Sequence, residues 1–283
     1  GFVNYSWALC MGKIEKKDIE DASRIGKAAM SCWMKRYRTT ELLPSLYLGY
    51  YGFVAFHTEP LQVCANMLRQ GFDVGMSLVE TGVAFFNSIN HLRIALMSGD
   101  RLPTLLEKAD YYLKLANTYQ NETAKVFLSH HRETISILMG KEGTAIGVPD
   151  ASSENVLSAV YFNRVIQAYW QGHSKRCQYC IKKYSHVKNS ANWRLLFTTF
   201  IEGMNSFRLP KKTSNGKLRS IQINAIIVLK NMASLSSWNF LNKVRYQTPM
   251  NAIVFMFSLT THEISNFFPS SVCNLISGPS ARS

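Results

Sequence analysis

The sequence has little of the alternation between apolar and polar residues that marks a half-buried β-strand. Its apolar residues, 47% of 283, recur instead at spacings of three and four, the period of an amphipathic helix. Only 8 prolines and 16 glycines interrupt the chain, and most lie between these apolar stripes. We therefore predict an all-α fold with a sizeable core.

The chain also lacks the short motifs that carry common enzyme chemistry. It has no phosphate-binding loop ending in Gly-Lys-Ser/Thr, no Gly-x-Ser-x-Gly, no kinase signature and no dinucleotide fingerprint. Residues 140–147 are rich in glycine, but they lack that ending and follow no strand. We predict no catalytic residue, no cofactor and no metal site, with an enzyme of unrecognised type as the remote alternative.

Two motifs suggest metal or redox chemistry but have simpler explanations. Cys177 and Cys180 form a Cys-x-x-Cys pair, yet no second pair completes a zinc site. They share a helical stripe with Ile181 and Tyr184, so we predict core cysteines. His130-His131 lacks the His-Glu-x-x-His spacing of zinc proteases, and we expect a half-exposed pair on a helix face.

Long apolar runs are missing as well. The longest uncharged stretch near the middle, residues 42–58, contains a proline, three tyrosines and two glycines, and it falls short of the roughly 20 apolar residues of a membrane span. No transmembrane segment and no signal peptide are expected. Six cysteines in a chain of this kind indicate a reducing compartment, so we predict a cytoplasmic protein. The chain begins at Gly1, and we expect it to be a fragment of a longer protein.

Three apolar stripes between residues 58 and 119 predict consecutive helices. We expect Thr58 to cap the first helix, Thr81-Gly82 to end it, and Ser98-Gly99-Asp100 to end the second. Connections this short make neighbouring helices antiparallel. The stripes comprise Leu61, Cys64, Ala65, Leu68, Phe72, Gly75 and Val79, then Phe85, Ile89, Leu92 and Leu96, then Leu102, Leu105, Leu106, Ala109, Tyr112, Leu113 and Ala116.

A weak internal repeat accompanies these helices. The pattern Ala-x-x-x-Gly ends at Gly12, Gly99 and Gly172, and the first two copies lie 99 − 12 = 87 residues apart, which fits two hairpins of about 40 residues each. We predict antiparallel hairpins stacked as a tetratricopeptide-like α-solenoid over residues 1–246, with a possible sub-boundary in loop 140–153. Residues 247–283 are predicted to be a divergent tail outside the array. An irregular helical domain is the alternative.

Acidic residues are nearly absent from the second half. Residues 1–154 hold 16 Lys/Arg and 16 Asp/Glu, whereas residues 155–283 hold 16 Lys/Arg and two Glu, so the second half carries 16 − 2 = +14. Such a half is expected to meet an acidic partner, nucleic acid or anionic lipid, or to be a solvated face without a ligand. The candidate partner-binding residues are Lys175, Arg176, Lys182, Lys183, Lys211, Lys212, Lys217 and Arg219.

Several segments resemble a known family. Residues 56–64 (FHTEPLQVC), 82–90 (GVAFFNSIN), 97–102 (MSGDRL), 154–184 and 237–243 (SWNFLNK) are similar to the helical middle region of large multidomain signalling ATPases. In that family a kinase-like segment and an AAA-type ATPase module precede a tetratricopeptide-like array, and a sensor histidine kinase or nucleotide cyclase follows it. The resemblance covers about residues 1–246 and brings no catalytic motif onto this chain.

The resemblance implies a non-catalytic interaction module that binds a protein partner or couples neighbouring domains of a longer chain. The basic second half keeps open a second hypothesis, a helical-repeat protein that binds RNA. RNA-reading repeats place variable polar side chains at fixed repeat positions, and no such regular position is visible in this sequence.

The purified chain is predicted not to hydrolyse ATP or transfer phosphate, because the sequence contains no loop that would cradle phosphates. Phosphate release should equal that of a blank without protein. A turnover that survives repurification and scales with protein concentration would contradict this prediction.

Overall fold

The computed structural model describes residues 2–9, 16–36, 41–141 and 154–185, together with residues 201, 202 and 205. Every regular element in these ranges is helical, so the all-α prediction is confirmed for them. Residues 142–153 of the predicted boundary loop and the tail 247–283 lie outside the described residues. The elements are α1 (Phe2–Leu9), α2 (Lys16–Arg36), α3 (Leu43–Phe53), a 3-10 turn (Ala55–His57), α4 (Leu61–Ser77), α5 (Thr81–Ser98), α6 (Leu102–Thr118), α7 (Glu122–Leu138), α8 (Glu154–Trp170) and α9 (Ser174–Ser185).

Helix contacts run in series along the chain. Every helix from α1 to α8 packs against the helix that follows it. In addition, α1 packs against α3, α3 against α5, and α5 against α7. Within the described ranges, no substantial contact joins α-helices that are more than two apart in chain order. Each helix therefore depends mainly on its near neighbours in sequence.

One kind of turn ends five of these helices. The residue after the last helical turn has positive φ at Val79 (62°), Gly99 (81°), Gln120 (51°), Gly140 (77°) and Gly172 (76°). In each turn its N–H and the following N–H donate back to two carbonyls of the last helical turn, which is the Schellman arrangement. The spacings 120 − 79 and 140 − 99 are both 41 residues, in agreement with the predicted hairpin length.

The Ala-x-x-x-Gly pattern has a physical reason in these turns. Ala95 and Ala168 supply the carbonyls that accept the N–H of Asp100 and His173, at 3.1 and 2.9 Å. Each alanine is fully buried, and the glycine four residues later takes the left-handed conformation. The corresponding Gly12 lies outside the described residues.

The predicted start and end of α4 are wrong. The chain reverses at Val79, which is 77% exposed and not on the buried stripe, while Thr81 and Gly82 belong to the first turn of α5. Thr58 does not cap α4, because Pro60 occupies the N-cap position without a side-chain hydrogen bond. The Thr58 hydroxyl instead lies 2.6 Å from that of Ser23 on α2.

Helices α4 and α5 approach each other closely because α4 presents glycine. A Cβ on Gly75 would lie 2.9 Å from Cβ of Ala84, and one on Gly71 would lie 2.6 Å from Oδ1 of Asn87. Real Cβ atoms essentially never show such distances, so a side chain at Gly75 would push the helices apart and one at Gly71 would displace the Asn87 side chain. The close approach brings α5 into the centre of the described helices.

Val79 is predicted to destabilise the protein, since a β-branched residue at positive φ is strained by about 1–2 kcal/mol. Its side chain is mostly exposed, so Val79→Gly loses little packing. The flexibility of glycine in the unfolded chain partly offsets the relief of this strain. In urea denaturation, Val79→Gly should therefore raise the free energy of unfolding by about 1 kcal/mol.

Gly172→Val is the matched control, because φ is +76° there and nothing lies within 4 Å of the added Cβ. It should lower the free energy of unfolding by a similar amount. A Val79→Gly variant that unfolds at lower urea than the parent would contradict the strain at Val79.

Candidate functional site

Four of the eight predicted partner-binding residues lie together on one exposed helix face. Lys175, Arg176, Lys182 and Lys183 are exposed on α9. The other four predicted residues lie outside the described residues: Lys211, Lys212, Lys217 and Arg219. The structure therefore places half of the predicted set and brings those four within about two helical turns of one another.

An exposed tyrosine lies among these cations, and the sequence argument missed it. Tyr179 is 58% exposed, and Nζ of Lys183 lies 5.8 Å from the centre of its ring, within cation–π distance. The available signal was its position four residues from both Lys175 and Lys183, which puts all three on one face of a helix. We call Lys175, Arg176, Tyr179, Lys182 and Lys183 the α9 basic face.

The opposite side of α9 anchors the helix. Cys177, Cys180, Ile181 and Tyr184 are buried, which confirms the prediction that the two cysteines belong to the core. Sγ of Cys177 lies 3.9 Å from the carbonyl oxygen of Val165 on α8, and Nδ2 of Asn205 donates to the carbonyl of Ser174 at 3.0 Å. These contacts fix the orientation of the helix and so keep its basic face outward.

The buried Cys-x-x-Cys pair is a poor nucleophile. Burial raises the pKa of the Cys180 thiol, against smaller opposing effects of Arg176 and Arg164. A raised pKa removes thiolate, the reactive form of cysteine. Across the described part of the chain, no three His, Cys, Asp or Glu side chains are grouped so that they could hold a metal ion.

The prediction for His130 and His131 is wrong, because each is only 3% exposed. Nδ1 of His131 lies 3.2 Å from Oδ1 of Asn163 on α8. Nδ2 of Asn163 donates to the carbonyl of Ala159, so Oδ1 is the acceptor and His131 carries its proton at Nδ1. The sequence held the signal, since His131 falls on the buried stripe three residues after Leu128.

Thr134 extends this contact into a polar network between α7 and α8. Its hydroxyl lies 3.0 Å from Oδ1 of Asn163 and 2.8 Å from the carbonyl of His130, and it accepts from Nε2 of Gln167 at 2.9 Å. A buried network of this kind sets which residues of two helices face each other, because a shift would leave polar atoms without partners. We interpret it as a structural device.

Helix α5 carries buried polar groups toward two neighbours. Nδ2 of Asn87 donates to the carbonyl of Pro44 at 2.9 Å and Nη2 of Arg93 to that of Gly52 at 3.2 Å, which ties α5 to α3. Nδ1 of His91 lies 2.8 Å from the hydroxyl of Tyr112 on α6. Of the residues of α5, only Gly82 and Phe86 are exposed, so this helix offers no continuous face to a partner.

The exposed faces of α6 and α9 differ in charge. Exposed residues on α6 include Glu107, Asp110 and Lys114, so both signs are present. Helix α9 contains no acidic residue, and residues 155–201 contain none either. The exposed face of α9 is therefore positively charged, and it would attract a polyanion. None of the described helices is both long and apolar enough to cross a membrane.

The buried histidines predict a loss of stability in mild acid. Burial lowers the pKa of His57 to about 4 and, with smaller effects of Lys108 and Arg69, that of His91 to about 3. The unfolded chain therefore binds these protons more readily, so their contribution is complete above the ordinary pKa near 6.5 and is lost as the pH falls toward the folded values. The free energy of unfolding should fall by about 2–3 kcal/mol from about pH 7.5 to about pH 5.5.

Urea denaturation at the two pH values measures this change. His57→Gln and His91→Gln should each flatten the pH dependence, whatever they do to stability itself. The exposed His173 supplies the control His173→Gln, which should leave the dependence unchanged. Equal stability at both pH values would contradict the prediction.

Comparison of the chain with models of known families, with curated proteins and with solved structures gives no match. The resemblance to the helical region of signalling ATPases therefore stays a prediction.

Proposed function

We propose that this chain is a non-catalytic helical-repeat interaction module, with antiparallel hairpins stacked in series as a tetratricopeptide-like array. We further propose that it couples neighbouring parts of a longer signalling protein of the kind its sequence resembles. The observation that carries the proposal is the serial order of contacts, in which the substantial contacts of each described helix are with helices one or two places away. Arrays of this kind have stabilities that are sums over units and their interfaces.

The turns support the same proposal. The 41-residue spacing separates the turn after α4 from the turn after α6, and the turn after α5 from the turn after α7, with matching backbone hydrogen bonds at these turns. Equivalent turns let one hairpin follow another in the same orientation. A partner that tightens one hairpin would then stabilise the next through their shared interface.

Binding would use the outer faces of the array. Helix α5 is covered almost everywhere, which disfavours a groove along it, whereas α6 and α9 present exposed polar side chains. Tyr111 on α6 is 54% exposed beside charges of both signs, a composition that suits a protein partner. The second candidate function, RNA binding, is favoured by the α9 basic face.

Serial coupling is tested by hydrogen exchange on the full chain carrying Asn163→Leu. This change removes the Asn163 oxygen that lies 3.2 Å from Nδ1 of His131 and 3.0 Å from the Thr134 hydroxyl, and it should cost about 1–3 kcal/mol. In a serial array, amide exchange should rise about tenfold or more in α7, α8 and α9 and should rise less with each step toward α3.

Asn117→Leu, at an exposed position on α6, is the matched control and should change exchange very little. An equal rise in all helices from α1 to α9 would show one cooperative unit. That result would remove the basis for a coupling role.

A further inference from the structure

We infer that the α9 basic face is a binding site for single-stranded nucleic acid, with Tyr179 as a stacking platform and the surrounding cations as phosphate contacts. Five side chains form it, and the span from Lys175 to Lys183 is eight residues, about 12 Å along the helix axis. All five are exposed on one helix. The inference does not depend on the serial-coupling proposal.

The charge of the segment favours a polyanion over a partner with a few acidic groups. No acidic side chain occurs between residues 155 and 201, so α9 carries four cations and no carboxylate. A solvated face without a ligand more often mixes charges of both signs, as α6 does. A phosphate backbone would satisfy several of these cations at once.

The tyrosine favours a single strand over other polyanions. A ring that is 58% exposed gains nothing from an acidic peptide or a sulfated chain beyond ordinary contact. An unpaired base stacks on it, and such stacking tolerates any base sequence. Nζ of Lys183 lies over one face of the ring, 5.8 Å from its centre. A base can stack on the other face, and the flexible lysine side chain can turn to meet the phosphate of the stacked nucleotide.

The orientation of α9 is already set before any ligand arrives. Its opposite face is buried through Cys177, Cys180 and Tyr184, and the Asn205 amide holds the first turn. The site thus costs little ordering of the backbone, and the cations need only fix their side chains on binding.

Fluorescence anisotropy of the full chain with a labelled oligouridylate of about 16 nucleotides tests the inference. With four phosphate contacts, affinity should fall roughly 50-fold between about 50 mM and about 200 mM salt. Tyr179→Ala should weaken binding by about 5-fold to about 100-fold, whereas Tyr179→Phe keeps the ring and should bind like the parent. Lys175→Gln with Arg176→Gln should weaken binding and lower the slope against salt.

The chain offers matched controls for both kinds of change. Tyr111→Ala removes a tyrosine of similar exposure from α6, and Lys35→Gln with Arg36→Gln removes another exposed Lys-Arg pair, at the end of α2. Both controls should bind the oligonucleotide as the parent does. Circular dichroism of every variant separates loss of the site from loss of the fold.

Two results would overturn the inference. One is absence of binding at the lower salt concentration. The other is binding that Tyr179→Ala leaves unchanged and that polyglutamate displaces as well as oligouridylate does, which would assign the face to an acidic protein segment. The two proposals can fail separately. Tight binding that depends on Tyr179 would support the nucleic-acid site even if hydrogen exchange rose uniformly in the Asn163→Leu variant, a result that would reject the serial array.

Discussion

Helix α5 is buried on almost every side, and the described structure is arranged around that burial. A helix without a solvated face must place its polar side chains against neighbours, because a buried polar group without a partner costs about 1–3 kcal/mol. Asn87 and Arg93 therefore reach carbonyls of α3, and His91 reaches a hydroxyl on α6. The two glycines of α4 that face α5 let the backbones meet. The same covering leaves partners only the outer faces of the other helices.

The second device of the structure is the repeated turn. It reverses the chain with two backbone hydrogen bonds and needs one residue at positive φ, so it suits glycine best but does not require it. Val79 and Gln120 occupy that place in two of the turns. The turn geometry recurs even where glycine is replaced by another residue. The recurrence is therefore clearer in the backbone than in the sequence.

The features that the sequence predicted well are those that depend on period. The stripe from Cys64 to Gly75, the turn at Gly99 and the inward face of α9 follow from spacing alone. The beginning and end of α4 did not, since Gly82 looked like a break and Val79 like a core residue. Only the packing of the helices shows that the chain reverses at Val79, two residues before the predicted break at Thr81. The burial of His130 and His131 was missed because a polar residue on an apolar stripe is read as exposed until its partners on α8 are seen.

The sequence likewise predicted one part of the α9 basic face and missed another. Charge and helical spacing sufficed to place four cations on the outer face of α9, because the apolar stripe on its other side must be the buried one. These cations are Lys175, Arg176, Lys182 and Lys183. Helical spacing also placed Tyr179 on that face, but spacing alone did not show that its ring is exposed. An aromatic residue is normally assigned to the core, and only the exposure of its ring separates a platform from a packing residue.

The turn at Gly140 has a consequence for where these helices can accommodate additional residues. Nothing lies within 4 Å of a side chain placed there, and 154 − 140 − 1 = 13 residues separate it from α8, whereas two separate Gly99 from α6. The extra residues leave the network of His131, Thr134 and Asn163 intact between the helices on either side. Because the free-energy cost of loop closure rises only slowly with length, a longer connection at this turn would cost little and would let the flanking helices keep their register.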